Sequence, residues 1–349
     1  MVAAVETMAY AGEVPWHGLG TKVSNDISID DMLKESGLDW KVVPVPVFGE
    51  YNGEKITSDH KMLVRDSDSK VLTMITDKWN PVQNSEAFEF FRQFVDEGSM
   101  EMHTAGSLRD GQWVWCLAKV KESFELFGGD KVDSYLLFSN PHIYGRGVEI
   151  RFTPTRVVCN NTLQLSLGTA TDNKVRLNHR SQFDPEMVKE TLGIASEKMA
   201  KYKEMAKFLG EKSYKKEIVA EYMKEVFPGY SKRAIDQAND VKTLTDAQIE
   251  ALGLSRNAMG ALDILETQPG ANYAPGSWWN AYNAVTYMTD HVIGKTQESR
   301  LTSAWYGLNK SVKVKALEKA VEYACLLYTS DAADEGLGVD LGGRRIIKK

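Results

Sequence analysis

The sequence predicts an α+β fold, in which an antiparallel, β-rich N-terminal half with packed helices precedes a helical C-terminal half. Short β-branched and aromatic runs dominate residues 1–183, whereas apolar residues recur at helical spacing over residues 184–324. The order of hairpin, helix and further strands is typical of an antiparallel sheet. We therefore predict a β-rich α+β domain over residues 1–183 and a helical region over residues 184–324.

The β-rich half begins with an edge strand and a hairpin. Trp40–Phe48 is rich in valine, but Pro44 and Pro46 lack backbone donors, which restricts such a strand to the edge of a sheet. Lys61–Arg65 and Lys70–Thr76 flank four turn-forming residues and predict a hairpin. Three further strands are predicted at Gln112–Val120, Val132–Ser139 and Gly147–Phe152.

The clearest predicted helix runs from Asn84 to Gly98. Its apolar residues lie at helical spacing, Asn84 is a favourable N-cap residue, and Gly98 is a favourable end. In the second half, Asp184-Pro185 is a typical helix start. Predicted helices there cover residues 184–209, with a break near Gly210, and residues 214–227, 277–293 and 311–323.

The last twenty-five residues, Cys325–Lys349, read as translated sequencing adapter. Cys325–Ser330 corresponds to the transposase end used in library preparation, and Val339–Ile347 to the reverse complement of a flow-cell primer. We predict a non-native, disordered tail over residues 325–349, joined to a natural chain known to Ala324. This tail contains four acids and four bases, so the net charge of −6 belongs to the rest of the chain.

Composition limits the classes of function. A net charge of −6 argues against a general polyanion binder, although it permits a local basic surface. The chain before the tail contains two cysteines, Cys116 and Cys159. Two cysteines in a chain of this length do not indicate a disulfide framework. Neither a signal peptide nor a membrane span is evident, so we expect a protein of the bacterial cytoplasm without membrane contact.

Several motifs resemble the phage/plasmid-like protein family, a domain of unknown function carried by phages, prophages and plasmids. They are Met8–Gly20, Asn80–Phe88, Ala105–Leu108, Arg151–Leu163, Trp278–Val285, Asp290-His291 and Ser303–Gly307. The resemblance spans Met8 to Ala324. It implies a mobile-element origin, but it brings no established activity, catalytic residue or cofactor.

A basic segment interrupts the acidic chain between Pro141 and Phe183, with six basic and two acidic residues. Its arginines could form a row of positive charge along one strand, and this row could bind the phosphate backbone of a nucleic acid. Trp16, in the glycine-rich loop Pro15–Gly20, could stack on a base, or it could belong to a packed turn. The predicted nucleic-acid-binding residues are Arg146, Arg151, Arg156, Arg176, Arg180 and Trp16. A solvated sheet face, or arginines paired with carboxylates, explains the segment equally well.

Two polar groupings could carry other chemistry. Cys159 and His179 could form a thiol nucleophile and its base, although the valines before Cys159 favour a buried core thiol. Asn283, Asp290 and His291 share one stripe of a late helix, either lining a groove or fixing the register of a docked helix. With Asn161, these residues form the predicted polar cluster. The spacing of histidine and cysteine predicts no metal site, and no cofactor is expected.

Two hypotheses follow from these patterns. The first is a non-enzymatic protein that handles nucleic acid, such as a single-strand binding or annealing factor, and it is favoured. The alternative is an enzyme of unknown reaction class centred on Arg156, Cys159, Asn161 and His179, with His291 as a further candidate. An assembly or host-interaction protein, and a homo-oligomer, also stay open.

Overall fold

The structure is a computed structural model, and it describes residues 5–12, 19–96, 98–156, 161–162, 174–177, 200–228 and 253–334. Within these residues the N-terminal half contains β-sheets with two helices, and the C-terminal half is mostly helical. The predicted α+β class is therefore confirmed. The proposed domain boundary at residues 183 and 184 lies outside the described residues and stays a prediction.

An eight-stranded sheet forms the centre of the described structure. A meander of long antiparallel strands supplies its middle, with β1 and the short β2 at one edge and β10 and β11 beside β9 at the other. Its strands are β1 (Val5–Tyr10), β2 (Thr21–Lys22), β6 (Met100–Leu108), β7 (Trp113–Leu126), β8 (Asp130–Pro141), β9 (Val148–Arg156), β10 (Asn161–Thr162) and β11 (Lys174–Leu177). The strands predicted within β7, β8 and β9 are confirmed, whereas β1 and β6 were not predicted.

A second, three-stranded sheet contains β3 (Val42–Tyr51), β4 (Glu54–Arg65) and β5 (Val71–Thr76). Both proline residues of the valine-rich run lie in β3, which pairs only with β4 and is therefore an edge strand, as predicted. The predicted hairpin is formed by β4 and β5. Its turn includes Ser69 in the left-handed region, with φ of 60°.

Helices α1 (Ile29–Glu35) and α2 (Asn84–Asp96) pack on one face of the large sheet. The prediction that Asn84 caps α2 is wrong, because Asn84 is the first helical residue and its side-chain oxygen shares a hydrogen bond with His142 Nε2. Its side-chain amide donates to the carbonyls of Leu38 and Trp40. Glu86 instead accepts a hydrogen bond from the backbone N–H of Gln83 at the start of α2. The glycine that ends α2, Gly98, has a φ of +71°, as expected for a helix C-terminus.

The second half contributes six helical segments to the described structure. Residues 200–211 are helical and are called α3. The others are α4 (Lys216–Val226), α5 (Arg256–Asp263), α6 (Trp278–Tyr287), α7 (Gln297–Tyr306) and α8 (Leu308–Asp334). A π-helical turn, Met288–Val292, continues α6. The break predicted near Gly210 is confirmed, because α3 ends at Glu211 and α4 begins at Lys216. Gly210 lies in the last turn of α3 against the Phe127 ring, where a side chain would collide.

Three hydrophobic clusters join these elements. One lies between the large sheet, the small sheet and helices α1 and α2. A second covers the opposite face of the large sheet, where Trp115 and Leu137 meet Leu301 and Trp305 of α7. The third is the core of the helical half and includes Leu126 and Val132 of the sheet. The large sheet is thus covered on both faces.

Helix α8 differs from the predicted end of the ordered chain. The sequence predicted disorder from Cys325, but the helix continues to Asp334. Ala324 is buried, whereas Cys325 and Leu326 are exposed. A helix already formed adds residues at little cost, and the first glycine beyond Ala324 is Gly336, so continuation of the helix beyond Ala324 is physically reasonable. No helix in the described ranges is long and apolar enough to cross a membrane.

Removal of residues 325–349 should leave the midpoint of thermal unfolding unchanged within about 2 °C, because Ala324 is buried whereas Cys325 and Leu326, which follow it, are exposed. Circular dichroism of the full and shortened chains checks this. A chain shortened after Lys315 is the control and should be strongly destabilised, since it also loses the buried Leu317 and Ala320. A loss of several degrees on removing residues 325–349 alone would contradict the assignment of α8's packed end.

Stability should fall as pH drops through the acidic range because of His103. Burial and, to a smaller extent, the positive charge of Lys119 lower the pKa of this imidazole from 6.5 to about 4, while Asp133 opposes the change. Between these values the unfolded chain binds a proton that the folded chain excludes, so stability is complete above about pH 6.5 and is lost towards pH 4. The loss should approach about 3 kcal/mol. Urea unfolding of His103→Gln should show a flatter profile over this range; an unchanged profile would refute the role of His103.

Candidate functional site

A chain of polar side chains crosses the apolar interface between the large sheet and the C-terminal helices. Its members are Ser139, Arg151, Asp290, Tyr306 and Lys313, which we call the polar layer. Four of them are buried and Tyr306 is half-buried. Strands β8 and β9 supply the first two residues, and the π turn, α7 and α8 supply the others.

The strongest contact in the polar layer is an ion pair between Asp290 and Lys313. Lys313 Nζ lies 2.8 Å from Asp290 Oδ1, and both side chains are 0% exposed. Burial lowers the pKa of the Lys313 ammonium, and Asp290 opposes that change. Two charges are removed from water here, and their mutual attraction offsets part of the cost of burying them.

The π turn places Asp290 in this pair. Helix α6 begins at a cap where Ser277 accepts a hydrogen bond from the N–H of Asn280, and it continues directly into the turn. The amide of Asn309 donates to the carbonyl of Thr289 at 2.6 Å. That bond connects the turn to the start of α8, four residues before Lys313. π Turns are found frequently at functional sites.

Arg151 lies at the sheet side of the polar layer. It is 2% exposed, and its Nη2 donates to the backbone oxygen of Trp305 at 3.0 Å. Its guanidinium carbon lies 5.8 Å from the centre of the Tyr306 ring. Within the described part of the chain, Arg151 Nε and Nη1 have no hydrogen-bond partner. Burial lowers the pKa of Arg151, but a guanidinium stays charged at neutral pH.

Tyr306 connects Arg151 with the neighbouring strand. Its hydroxyl shares a hydrogen bond of 2.6 Å with the Ser139 hydroxyl on β8. Burial raises the pKa of the Tyr306 phenol, so the phenol stays neutral at physiological pH. The polar layer therefore contains two cations, one buried carboxylate and two neutral hydroxyls, which suits binding of an anion better than proton transfer.

The predicted arginine interface is only partly described, and one member is placed differently. Arg151 was expected on an accessible strand face, but it is buried because this face of β9 is covered by α7. Arg146 is exposed in the loop before β9 and not in a strand. Arg156 and Arg176 lie in β9 and β11, and the backbone of Arg176 is opposite that of Glu149 in the strand register. Arg180 and Trp16 lie outside the described residues.

The residues of the predicted polar cluster that the structure describes differ in burial and in position. Asn283 and Asp290 are both fully buried. His291 is half-exposed and stacks on Tyr287, with ring centres 4.6 Å apart. The π turn contains more residues per turn than an α-helix, so the single stripe expected for a regular helix is not kept. Asn161 lies in β10 opposite Arg156, whereas Cys159 and His179 lie outside the described residues.

A second site is exposed along α3 and the start of α4. Lys203 Nζ lies 5.9 Å from the centre of the Phe124 ring, and Lys212 Nζ lies 5.7 Å from that of Phe208. Both rings are partly buried against the helical core. We call Lys201, Lys203, Lys207, Lys212, Lys215 and Lys216, with these two rings, the lysine surface.

Sequence reasoning missed Ser139, Tyr306 and Lys313. Lys313 did carry a signal, because it lies three and four residues before Ala316 and Leu317, on the buried stripe of α8. A charge inside an apolar stripe implies a buried partner. Ser139 and Tyr306 carried none, since their contact joins residues 167 positions apart. Across the described residues, no group of three His, Cys, Asp or Glu side chains could hold a metal ion.

Comparisons with known proteins give one match. Residues 71–305 match the family model described as a domain of unknown function, DUF932. No curated protein and no solved structure matches the chain. The matched segment includes Arg151, Asp290 and the residues of the lysine surface, and it ends at Trp305 of α7.

Replacement of Lys313 by Met should destabilise the protein by about 3–5 kcal/mol, because it leaves the Asp290 carboxylate buried without its cation. Urea unfolding measures the change. Lys313→Met combined with Asp290→Leu should recover much of the loss, since no uncompensated charge remains. The matched control is Lys61→Met, which breaks an exposed pair with Asp77 and should cost less than about 1 kcal/mol. Equal costs for the two single variants would contradict a dry ion pair.

Proposed function

The chain belongs to the DUF932 family, since the match covers more than half of its length, and from this premise we propose a non-enzymatic protein that handles single-stranded nucleic acid. The resemblance to phage/plasmid-like proteins supports an origin in a mobile genetic element acting in the bacterial cytoplasm. Binding or annealing of single strands is the activity proposed.

The lysine surface is the observation that supports this proposal most. Single strands are bound without sequence preference by cations that contact phosphates and by aromatic rings that stack on bases. Here Lys203 and Lys212 lie over the rings of Phe124 and Phe208. Both components of such a binding surface therefore occur side by side on one part of the molecule.

Local charge also favours this surface. Six lysines lie between residues 200 and 217, against Glu204, Glu211 and Glu217, although the chain as a whole has a net charge of −6. Exposed charges act mainly within about 10 Å at moderate salt, so a basic surface can attract phosphate on an acidic protein. The acidic remainder would limit binding elsewhere on the surface.

The arginine segment extends the same proposal. Arg146 is exposed and follows Tyr144, whose ring is 44% exposed, so this loop offers a cation beside an accessible aromatic ring. Arg156, Arg176, Arg180 and Trp16 stay proposed contacts. Arg151 is not among them, because a polymer cannot reach a side chain that is 2% exposed.

An enzyme centred on Arg156, Cys159, Asn161 and His179 is the second candidate. The register of β9 and β10 places Asn161 directly opposite Arg156, which brings two of the four residues together. No corresponding observation concerns Cys159 or His179. The nucleic-acid proposal is therefore favoured.

Replacement of Lys203, Lys207 and Lys215 by Gln should weaken binding of a single-stranded oligonucleotide about tenfold or more at low salt, because phosphate contacts are lost. Fluorescence anisotropy at several salt concentrations measures it, and the dependence of affinity on salt should become shallower. The control replaces Lys22, Lys34 and Lys41, which are exposed in the N-terminal half, and should bind as the parent does. Absence of binding at low salt across several oligonucleotide lengths would end the proposal.

A further inference from the structure

Arg151 brings a positive charge into the protein without a described carboxylate to neutralise it. Asp290 forms its ion pair with Lys313, and Glu149, two positions before Arg151 on β9, attracts the guanidinium but forms no ion pair with it. An ionised group that is removed from water without a counter-charge costs several kcal/mol. Glu149 offsets part of this cost, and an anion in direct contact with the guanidinium would offset more of it.

Several buried N–H groups at and near Arg151 have no hydrogen-bond acceptor among the described residues. Arg151 Nε and Nη1 are without a partner in the described ranges, and so are the indole N–H groups of Trp115 and Trp305. These residues are neighbours, because Arg151 Nη2 donates to the Trp305 carbonyl and the two indole rings meet edge to face at 4.9 Å. Four buried N–H donors thus lie in one region of the interface.

Lys313 adds a second positive charge near Arg151. Lys313 is close enough to Arg151 for repulsion between them to lower the pKa of the lysine. One carboxylate, that of Asp290, lies at this end of the layer and contacts Lys313. A water molecule could accept hydrogen bonds from one or two of these N–H groups. A neutral water would bring no negative charge to the Arg151 guanidinium.

We propose that Arg151 is the centre of a buried binding site for a small oxyanion of the phosphate class, located between β9 and α7. Phosphate offers several acceptor oxygens and a negative charge, and arginine binds it with short, charge-assisted hydrogen bonds. The indole N–H groups of Trp115 and Trp305 are the further donors. The site is separate from the lysine surface and does not depend on the proposed nucleic-acid binding.

The bound oxyanion would stabilise the contact between sheet and helices. Arg151 belongs to β9, whereas Trp305 belongs to α7, so an anion bound to both adds a connection across the interface. A ligand that binds only the folded state raises stability with the logarithm of its concentration. The phosphate dependence of unfolding therefore reports occupancy of the site.

The test compares thermal unfolding of the parent and Arg151→Met at increasing sodium phosphate, with sodium chloride at matched ionic strength. The parent's midpoint should rise with phosphate concentration well beyond any rise with chloride. Phosphate also stabilises proteins by general exclusion from their surface, and Arg151→Met reveals that contribution. The variant should be more stable than the parent without phosphate, since its interior charge is gone, and should lack the specific rise.

A second measurement covers the case in which Arg151→Met does not fold. Phosphorus NMR of inorganic phosphate should show line broadening on addition of the parent protein, and Arg151→Lys, which keeps the charge but loses donors, should reduce it severalfold. Broadening equal in parent and Arg151→Lys, or none in the parent, would overturn the proposal. Oligonucleotide binding by the lysine surface should be unchanged in these variants, which separates failure of this proposal from failure of the proposed function.

Discussion

Burial of the second face of the large sheet is the constraint on which the described structure depends. Helix α7 covers that face with Leu301, Ala304 and Trp305, and these residues meet Trp115 and Leu137. An antiparallel sheet can leave one face in water, but this one is covered on both. The position of α7 then decides which side chains of β8 and β9 are excluded from solvent. Arg151 and Ser139 are polar residues at such positions, and the helices supply their partners.

The ion pair of the polar layer complements this apolar packing. Hydrophobic contacts tolerate small shifts of one surface over another, whereas a dry ion pair requires one relative placement. Asp290 belongs to the π turn and Lys313 to α8, which are separated in the chain by α7, and Asn309 joins the same two elements by a hydrogen bond. We infer that this polar contact sets the alignment of α8 on the π turn, while the surrounding alanine, leucine and tryptophan residues supply most of the stability.

The sequence predicted the class of fold and most of the long elements. Alternation and turn residues revealed β3 to β5 and β7 to β9, and helical spacing revealed α2, α4, α6 and part of α8. Strand β6 was missed because Met100–Leu108 contains Gly106, Thr104 and Ser107, whose strand preference comes from packing in the middle of the sheet. Asn84 was assigned as a cap because a sequence does not show that His142, 58 residues later, shares a hydrogen bond with its side-chain oxygen.

The candidate site was less predictable than the fold. Arg151, Asn283 and Asp290 were selected, yet Arg151 was expected to face solvent because alternation gives the two faces of a strand but not what covers each. Tyr306 and Ser139 meet through a contact between distant parts of the chain. The rings beside the lysine residues of α3 come from β7 as well as from α3, and only the folded chain brings these two elements together.

The π turn has a consequence for how this chain is compared with its relatives. A π turn amounts to one extra residue inserted into an α-helix, and it shifts every later side chain by about 100° around the axis. In a relative whose helix is regular here, the correct alignment places a one-residue gap within Met288–Val292. An alignment without that gap would match Asp290 to a residue on a different side of the helix, and a search for its acidic counterpart should therefore include both neighbouring columns.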